Sequence, residues 1–138
     1  MVATWRRTAL VLTTVVLAAT VTACAGSGED GDAAAGTARA LFAAVAAGDG
    51  EAACATLAPD TVAELEESSG TACAQAITEE DLPEPGPVET VDVYGQWARV
   101  VTSTDTVFLG AFGDGWRVVA AGCRPRGERP YDCRLQGA

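Results

Sequence analysis

The sequence predicts an α+β domain in which N-terminal helices pack on a curved four-stranded antiparallel sheet and disulfides staple the chain. Three observations carry this prediction. Residues 37–77 are alanine-rich with apolar side chains at helical spacing, residues 88–94 alternate in period two and are followed by β-rich runs between short turns, and the chain holds five cysteines. Because one face of such a sheet must be covered, the preceding helices are expected to cover it.

Four short helices are expected in the first half of the domain. In residues 37–47, Leu41, Phe42 and Val45 fall on one helical stripe. The remaining helices are expected over residues 50–57, 60–67 and 71–77. The next segment, residues 78–87, is rich in proline and acid and predicts a loop.

The second half of the domain predicts a meander of strands. The expected strands cover residues 88–94, 97–102, 106–112 and 116–121. Turns are expected at Gly95-Gln96, at residues 103–105 and at Gly113-Asp114-Gly115. Strands joined by such short turns pair with their chain neighbours, which predicts an antiparallel sheet.

The N-terminus has the features of an export signal. Arg6 and Arg7 precede an uncharged stretch, residues 9–21, which is shorter than the roughly 20 residues that span a bilayer. The tetrapeptide that ends in Cys24 (VTAC) resembles the bacterial lipobox. That resemblance implies cleavage after Ala23 and a diacylglyceryl group on the sulfur of Cys24, with acyl chains such as palmitate. The alternative is an ordinary secretory signal that leaves Cys24 unmodified.

These segments predict a simple domain organisation. Residues 1–23 are the expected signal peptide, residues 24–36 the lipidated cysteine and a flexible acidic tether, and residues 37–138 one extracytoplasmic domain. The tether is expected because residues 25–36 lack large apolar side chains. Two acyl chains would hold the domain on the outer side of the cell membrane. The net charge of −10 argues against nucleic acid as a partner, since phosphate binding needs a basic surface.

Once Cys24 is set aside, Cys54, Cys73, Cys123 and Cys133 remain. An even number of cysteines in an oxidising compartment predicts two disulfides, although four cysteines allow three pairings. We expect the local pairing, because the first two lie in the helical half and the last two bracket a proline-containing loop after the last predicted strand. A metal held by all four cysteines is the alternative.

The sequence contains no histidine, which excludes Ser-His-Asp hydrolysis, Cys-His catalysis and His-ligated zinc. We therefore expect no enzymatic activity, no catalytic residues, no metal and no cofactor. The alternative chemistry would use a carboxylate in an apolar pocket with a raised pKa. Its candidates are Asp92 and Asp105, with Tyr94 as a hydrogen-bond donor.

Two groups of side chains are candidates for binding. The candidate ligand pocket consists of aromatic residues, which in a small sheet also serve as core: Tyr94, Trp97, Phe108 and Trp116, with Phe112 nearby. The candidate contact for anionic lipid, a phosphate-bearing polymer or an acidic partner is a basic cluster: Arg124, Arg126, Arg129 and Arg134. The alternative for this cluster is a solvated loop shaped by prolines.

The order of these elements resembles the small cystatin-like or nuclear-transport-factor-2-like lipoproteins of actinobacteria. The resemblance rests on the lipobox at Cys24, on the Cys54 and Cys73 pair, on VYGQWARV at residues 93–100, and on GWRVVAAGCRPRGERPYDC at residues 115–133. It implies an envelope protein that binds a partner protein or a small ligand. Because related folds host isomerases and hydratases in a conical pocket, it also implies, as an alternative, an enzyme with a pocket carboxylate.

Overall fold

A computed structural model describes residues 26–137, and within this range the chain forms four helices and five strands. The helices are α1 (Gly26–Ala46), α2 (Gly50–Ala55), α3 (Pro59–Ser69) and α4 (Cys73–Glu79). The strands are β1 (Val88–Tyr94), β2 (Trp97–Thr102), β3 (Thr106–Phe112), β4 (Gly115–Arg126) and β5 (Arg129–Gln136). They form one antiparallel sheet in chain order. The predicted α+β class is confirmed. The expected signal peptide and Cys24 lie outside the described residues.

The helices cover one face of the sheet, and the hydrophobic core lies between the two layers. From the sheet, Val100, Val107 and Leu109 are fully buried. From the helices, Leu41 and Ile77 are fully buried against the same cluster. Because each such side chain contributes about 1.5–3 kcal/mol when it leaves water, this contact fixes the helices on the sheet.

The first helix corrects the prediction of a flexible tether, because residues 26–36 form the first turns of α1. Ala34 and Ala35 are buried, and a Cβ atom on Gly31 would lie 3.5 Å from Val91 Cγ1 and 4.0 Å from Val93 Cγ2. The prediction failed because it took the lack of large apolar side chains as a sign that this segment does not pack against the domain. Small side chains instead let the helix backbone approach the sheet and be buried against its valines.

The fifth strand corrects the expected strand count of four. The segment between Cys123 and Cys133 is expected to be a proline-containing loop, but it continues β4 to Arg126 and returns as β5 from Arg129. Pro125 coincides with the register shift between Arg124 and Arg126, and Pro130 lies on the edge strand β5. Both positions tolerate a residue without a backbone N–H, so the prolines do not prevent strand pairing.

The described residues contain two disulfides with the expected pairing, Cys54–Cys73 and Cys123–Cys133. The first ties α2 to α4, where the two helices pack so closely that a Cβ atom on Gly50 would overlap the carbonyl group of Ala74. The second joins residues that face each other across β4 and β5. The disulfides therefore hold both the helical layer and the last hairpin.

The direction of α1 defines two ends of the domain. Gly31 packs beside Val91 and Val93 near the end of β1, whereas Phe42 lies beside Leu82, which precedes β1. Helix α1 therefore runs antiparallel to β1. We call the end with the β1–β2 and β3–β4 turns and the start of α1 the proximal end. The end with the β2–β3 and β4–β5 turns is the distal end.

Candidate functional site

A polar cavity of about 150 Å³ opens near the distal end of the sheet. Its walls come from the loop before β1, the β2–β3 turn and strands β4 and β5. The lining residues are Asp81, Pro83, Thr104, Asp105, Gly122, Arg124 and Arg134. The cavity thus brings together two carboxylates, from the loop and the turn, and two guanidinium groups, from β4 and β5.

Asp105 is the buried carboxylate of this cavity, with only 5% of its surface exposed. Its Oδ1 accepts a hydrogen bond from the N–H of Thr106 at 2.7 Å, and its Oδ2 accepts one from the N–H of Gly122 at 3.0 Å. Its own N–H donates to Thr102 Oγ1 at 2.9 Å. The residue occupies the turn that the sequence predicts, and of the two candidate carboxylates, Asp92 and Asp105, it is the one that is buried in a cavity wall.

Burial has an electrostatic consequence for this group, because it raises the pKa of the Asp105 carboxyl above its ordinary value. Hydrogen bonds from the backbone N–H groups of Gly122, Thr106 and Cys123 oppose this shift, as does the positive charge of Arg124. The two carboxylate oxygens are thus held mainly by the backbone of the cavity wall.

The two arginines border the cavity from neighbouring strands, Arg124 on β4 and Arg134 on β5. Arg134 Nη2 lies 3.8 Å from Asp81 Oδ2, but the Asp81 side chain is 89% exposed, so this pair contributes little stability. Within the described part of the chain, Arg124 forms no ion pair. Gly122, at φ +65°, lets the stem of Arg134 approach, since a Cβ atom there would lie 2.8 Å from Arg134 Cβ.

The other two predicted arginines do not line this cavity. Arg126 and Arg129 face each other at the tip of the β4–β5 hairpin. Arg126 Nε donates a hydrogen bond to the carbonyl oxygen of Pro130 at 3.1 Å. The structure therefore divides the predicted basic cluster into a cavity pair and a tip pair. The sequence could not separate them, because the register of an unexpected hairpin decides the division.

The face of the sheet opposite the helices carries exposed aromatic side chains at the proximal end. Tyr94 is 55% exposed, Trp97 is 58% exposed and Phe112 is 42% exposed. Tyr94 and Trp97 are direct cross-strand partners. A Cβ atom on Gly110 would lie 3.2 Å from Phe112 Cε2 and 3.7 Å from Trp97 Cζ3, so Phe112 and Trp97 both lean over this glycine. We call Tyr94, Trp97 and Phe112 the aromatic patch.

The four residues of the predicted ligand pocket do not share one cavity. Tyr94, Trp97 and Phe108 lie on the uncovered face, where Phe108 packs edge to face on Tyr131 with ring centroids 5.0 Å apart. Trp116 lies opposite Ala111 on the covered face and packs against the core. Since the sheet itself separates the two groups, the prediction of a common pocket is corrected.

Asp92, the other candidate carboxylate, is engaged in an ion pair. Its Oδ2 accepts a hydrogen bond from Arg99 Nη2 at 2.7 Å across β1 and β2. This contact raises the pKa of the Arg99 guanidinium. Both side chains lie on the uncovered face, away from the distal cavity, so the structure does not bring Asp92 and Asp105 together.

Two further findings concern metals and membranes. Within residues 26–137, no three Cys, Asp or Glu side chains gather closely enough to hold a metal ion. In the same range, none of the helices combines the length and the apolar character that a membrane crossing requires.

Comparison with known proteins does not assign a family. No protein-family model matches the chain, and neither a curated protein nor a solved structure matches it significantly.

Proposed function

We propose that this protein is a lipid-anchored module on the extracytoplasmic side of the cell membrane that binds a small anionic ligand without catalysing a reaction. The ligand is a free molecule or the anionic end group of an envelope partner. The observation that carries this proposal is the distal cavity, where Arg124 and Arg134 border one space with the buried Asp105.

The charges around the cavity define the chemistry of the ligand. Guanidinium groups donate paired hydrogen bonds to carboxylates and phosphates, so the two arginines suit such an anion. Asp105 would repel a bare anion but would accept a hydrogen bond from a hydroxyl group. A small hydroxy acid or a hydrogen phosphate satisfies both requirements. At about 150 Å³ the cavity has room for only a few non-hydrogen atoms.

Two features support an extracytoplasmic location with a lipid anchor. The tetrapeptide ending in Cys24 follows a short apolar stretch. The two disulfides fit an oxidising compartment outside the cytoplasm. The intact mass of the membrane-extracted protein tests the anchor: we expect residues 24–138 with acyl chains on Cys24. The Cys24→Ala variant should be released or remain uncleaved. An unacylated Cys24 would contradict the anchor.

The same proposal includes kinship with the cystatin-like or nuclear-transport-factor-2-like lipoproteins. The order of helices followed by an antiparallel sheet, with helices on one face, supports it. The sheet is open and its aromatic patch is exposed, so the binding site that we propose is the distal cavity rather than a closed cone.

The binding experiment is a titration of the isotope-labelled domain with inorganic phosphate and, separately, with glycolate, followed by nuclear magnetic resonance. We expect saturable shifts of the Gly122 and Arg124 amide signals. In the Arg124→Ala/Arg134→Ala variant, the ligand should no longer shift these signals. In the matched control at the hairpin tip, Arg126→Ala/Arg129→Ala, the shifts should remain. Absent shifts, or equal loss in both double variants, would contradict a defined site.

A second candidate function, acid–base catalysis by Asp105, is favoured by one observation, the raised pKa of a buried carboxyl group that lines a cavity. Against it, each oxygen already accepts a backbone hydrogen bond. Carbodiimide labelling of the native protein tests the access to the cavity that both catalysis and the contact with a ligand hydroxyl group require. An accessible Asp105 should react together with the surface carboxylates. An Asp105 that remains unlabelled until the protein unfolds would contradict catalysis and the hydroxyl contact alike, and would leave the two arginines as the binding groups.

A further inference from the structure

We propose that the aromatic patch of Tyr94, Trp97 and Phe112 rests in the interface of the membrane, so that the domain stands on the bilayer by its proximal end. The distal cavity then faces away from the membrane. This inference rests on the acylation of Cys24 in the proposed function and adds the orientation of the anchored domain.

The covalent chain brings the lipid close to the folded domain. Cys24 precedes Gly26, the first residue of α1, by two positions. Two residues span at most about 7 Å, whatever their conformation. Helix α1 is itself packed into the core, since Ala34, Ala38 and Leu41 are buried. An acyl chain on Cys24 therefore holds the start of α1 at the membrane surface, with no long tether between them.

The start of α1 lies at the same end as the aromatic patch. From Gly31, which packs beside Val91 and Val93, the helix continues toward Gly26 for about 7.5 Å. Strand β1 continues in the same direction to its turn by a similar length, at about 3.3 Å per residue. Trp97 begins β2 at this turn, and Phe112 ends β3 at the β3–β4 turn of the same proximal end, so the patch lies level with the lipid attachment point.

The side chains of the patch are those that prefer a membrane interface. Tryptophan and tyrosine concentrate at the headgroup level of bilayers, because each ring joins an apolar body to a polar group. Phe112 also borders a recess of about 370 Å³, whose lining combines Leu57, Pro59 and Val62 with the ion-paired Asp114 and Arg117. Apolar side chains at the proximal end thus continue from Phe112 into this recess.

The charges near the patch favour a neutral membrane surface. Asp92 is paired with Arg99, and Asp114 is paired with Arg117, so these groups add no net charge. The first turns of α1 carry exposed acidic side chains, Glu29 and Asp30. We therefore expect the contact to be stronger on zwitterionic than on anionic lipid, because an anionic surface repels these acids.

Tryptophan fluorescence of the acylated protein in phosphatidylcholine vesicles tests the inference. After removal of the leader the chain holds Trp97 and Trp116, so Trp116→Phe leaves Trp97 as the single reporter. We expect its emission to shift to the blue on reconstitution and brominated phosphatidylcholine to quench it. The matched control, Trp97→Phe/Trp116→Phe/Glu128→Trp, carries its reporter at the distal hairpin tip and should show neither effect.

The outcomes separate the inference from the proposal on which it rests. If mass analysis shows acyl chains on Cys24 but brominated lipid leaves Trp97 unquenched, the anchor stands and the docked orientation is wrong. If Trp97 is shielded only when other membrane proteins are present, a protein partner covers the patch, and the orientation is again wrong. If Cys24 carries no acyl chain, the anchor is wrong and the inference falls with it.

Discussion

The carboxylate of Asp105 accepts a hydrogen bond from the backbone N–H of Gly122 at 3.0 Å, across a separation of 17 residues in the chain. This contact joins the β2–β3 turn to β4 between Ala120 and Cys123, where the pairing of β4 with β3 is irregular. Gly122 adopts φ +65°, and its N–H therefore points to the carboxylate instead of continuing a regular ladder. One buried side chain thus replaces backbone pairing at the wall of the cavity.

The first prediction concerns the stability of this wall. Asp105→Ala leaves the N–H groups of Thr106 and Gly122 without their carboxylate partner in a buried site. Since an unsatisfied buried donor costs about 1–3 kcal/mol, we expect the free energy of unfolding to fall by about 2–4 kcal/mol. Urea denaturation measures this loss. The exposed Asp132→Ala control should change stability by no more than about 0.5 kcal/mol. Equal effects of the two variants would contradict the structural role of Asp105.

The second prediction concerns pH. Because the pKa of Asp105 is raised in the folded protein, the folded state holds this proton more tightly than the unfolded state. Ionisation of Asp105 therefore lowers stability as the pH rises from its ordinary pKa of about 4 through the raised value. The stability of the wild-type protein relative to Asp105→Asn should increase as the pH falls through this window and level off below it. A stability difference between the two proteins that is constant with pH, or that decreases as the pH falls, would contradict the raised pKa. Asp132→Asn is the control.

The third prediction tests whether residues 26–36 form a helix or a tether. Gly36 is exposed within α1, and a Cβ atom there would meet nothing within 4 Å. Alanine is favoured over glycine in a helix by about 1 kcal/mol, so Gly36→Ala should raise the free energy of unfolding by about 0.5–1 kcal/mol. In a flexible tether the same change would have no effect on urea denaturation. Gly50→Ala is the contrasting variant and should destabilise, because its Cβ atom would overlap Ala74.

The parts of the fold that the sequence predicts are those with a local signal. The period-two alternation of β1, the β-rich composition of β2 and β3 and the short turns between them predicted these three strands with the bounds that the structure shows. The local disulfide pairing also agrees with the structure. These features depend on residues that lie near each other in the chain, so a single sequence contains the information.

The parts that sequence reasoning missed depend on distant partners. Gly31 and Ala34 are buried in a layer that includes the valines of β1, more than 50 residues away in the sequence. The residues around α1 contain no signal that predicts this contact. Asp105 was a candidate pocket carboxylate, but its partner Gly122 could not be predicted, because an irregularity in β4 presents this N–H to it. The sequence does contain a signal for β5, since Tyr131 and Leu135 alternate with polar residues. It was not used, because Pro125 and Pro130 favoured the interpretation as a loop.

The last prediction separates the roles of the two disulfides. They close loops with sequence separations of 19 and 10 residues, and the chain-entropy model gives about 3 kcal/mol for each. We expect Cys54→Ser/Cys73→Ser and Cys123→Ser/Cys133→Ser to lower stability by comparable amounts in urea denaturation. The second pair lies next to the cavity, because Cys123 stands between the lining residues Gly122 and Arg124, and Cys133 directly precedes Arg134. Its loss should therefore shift the amide signal of Gly122 and weaken the response to phosphate, whereas loss of the first pair should leave both unchanged. Alkylation of the untreated native protein should label none of the four cysteines, and any label on them would contradict the pairing.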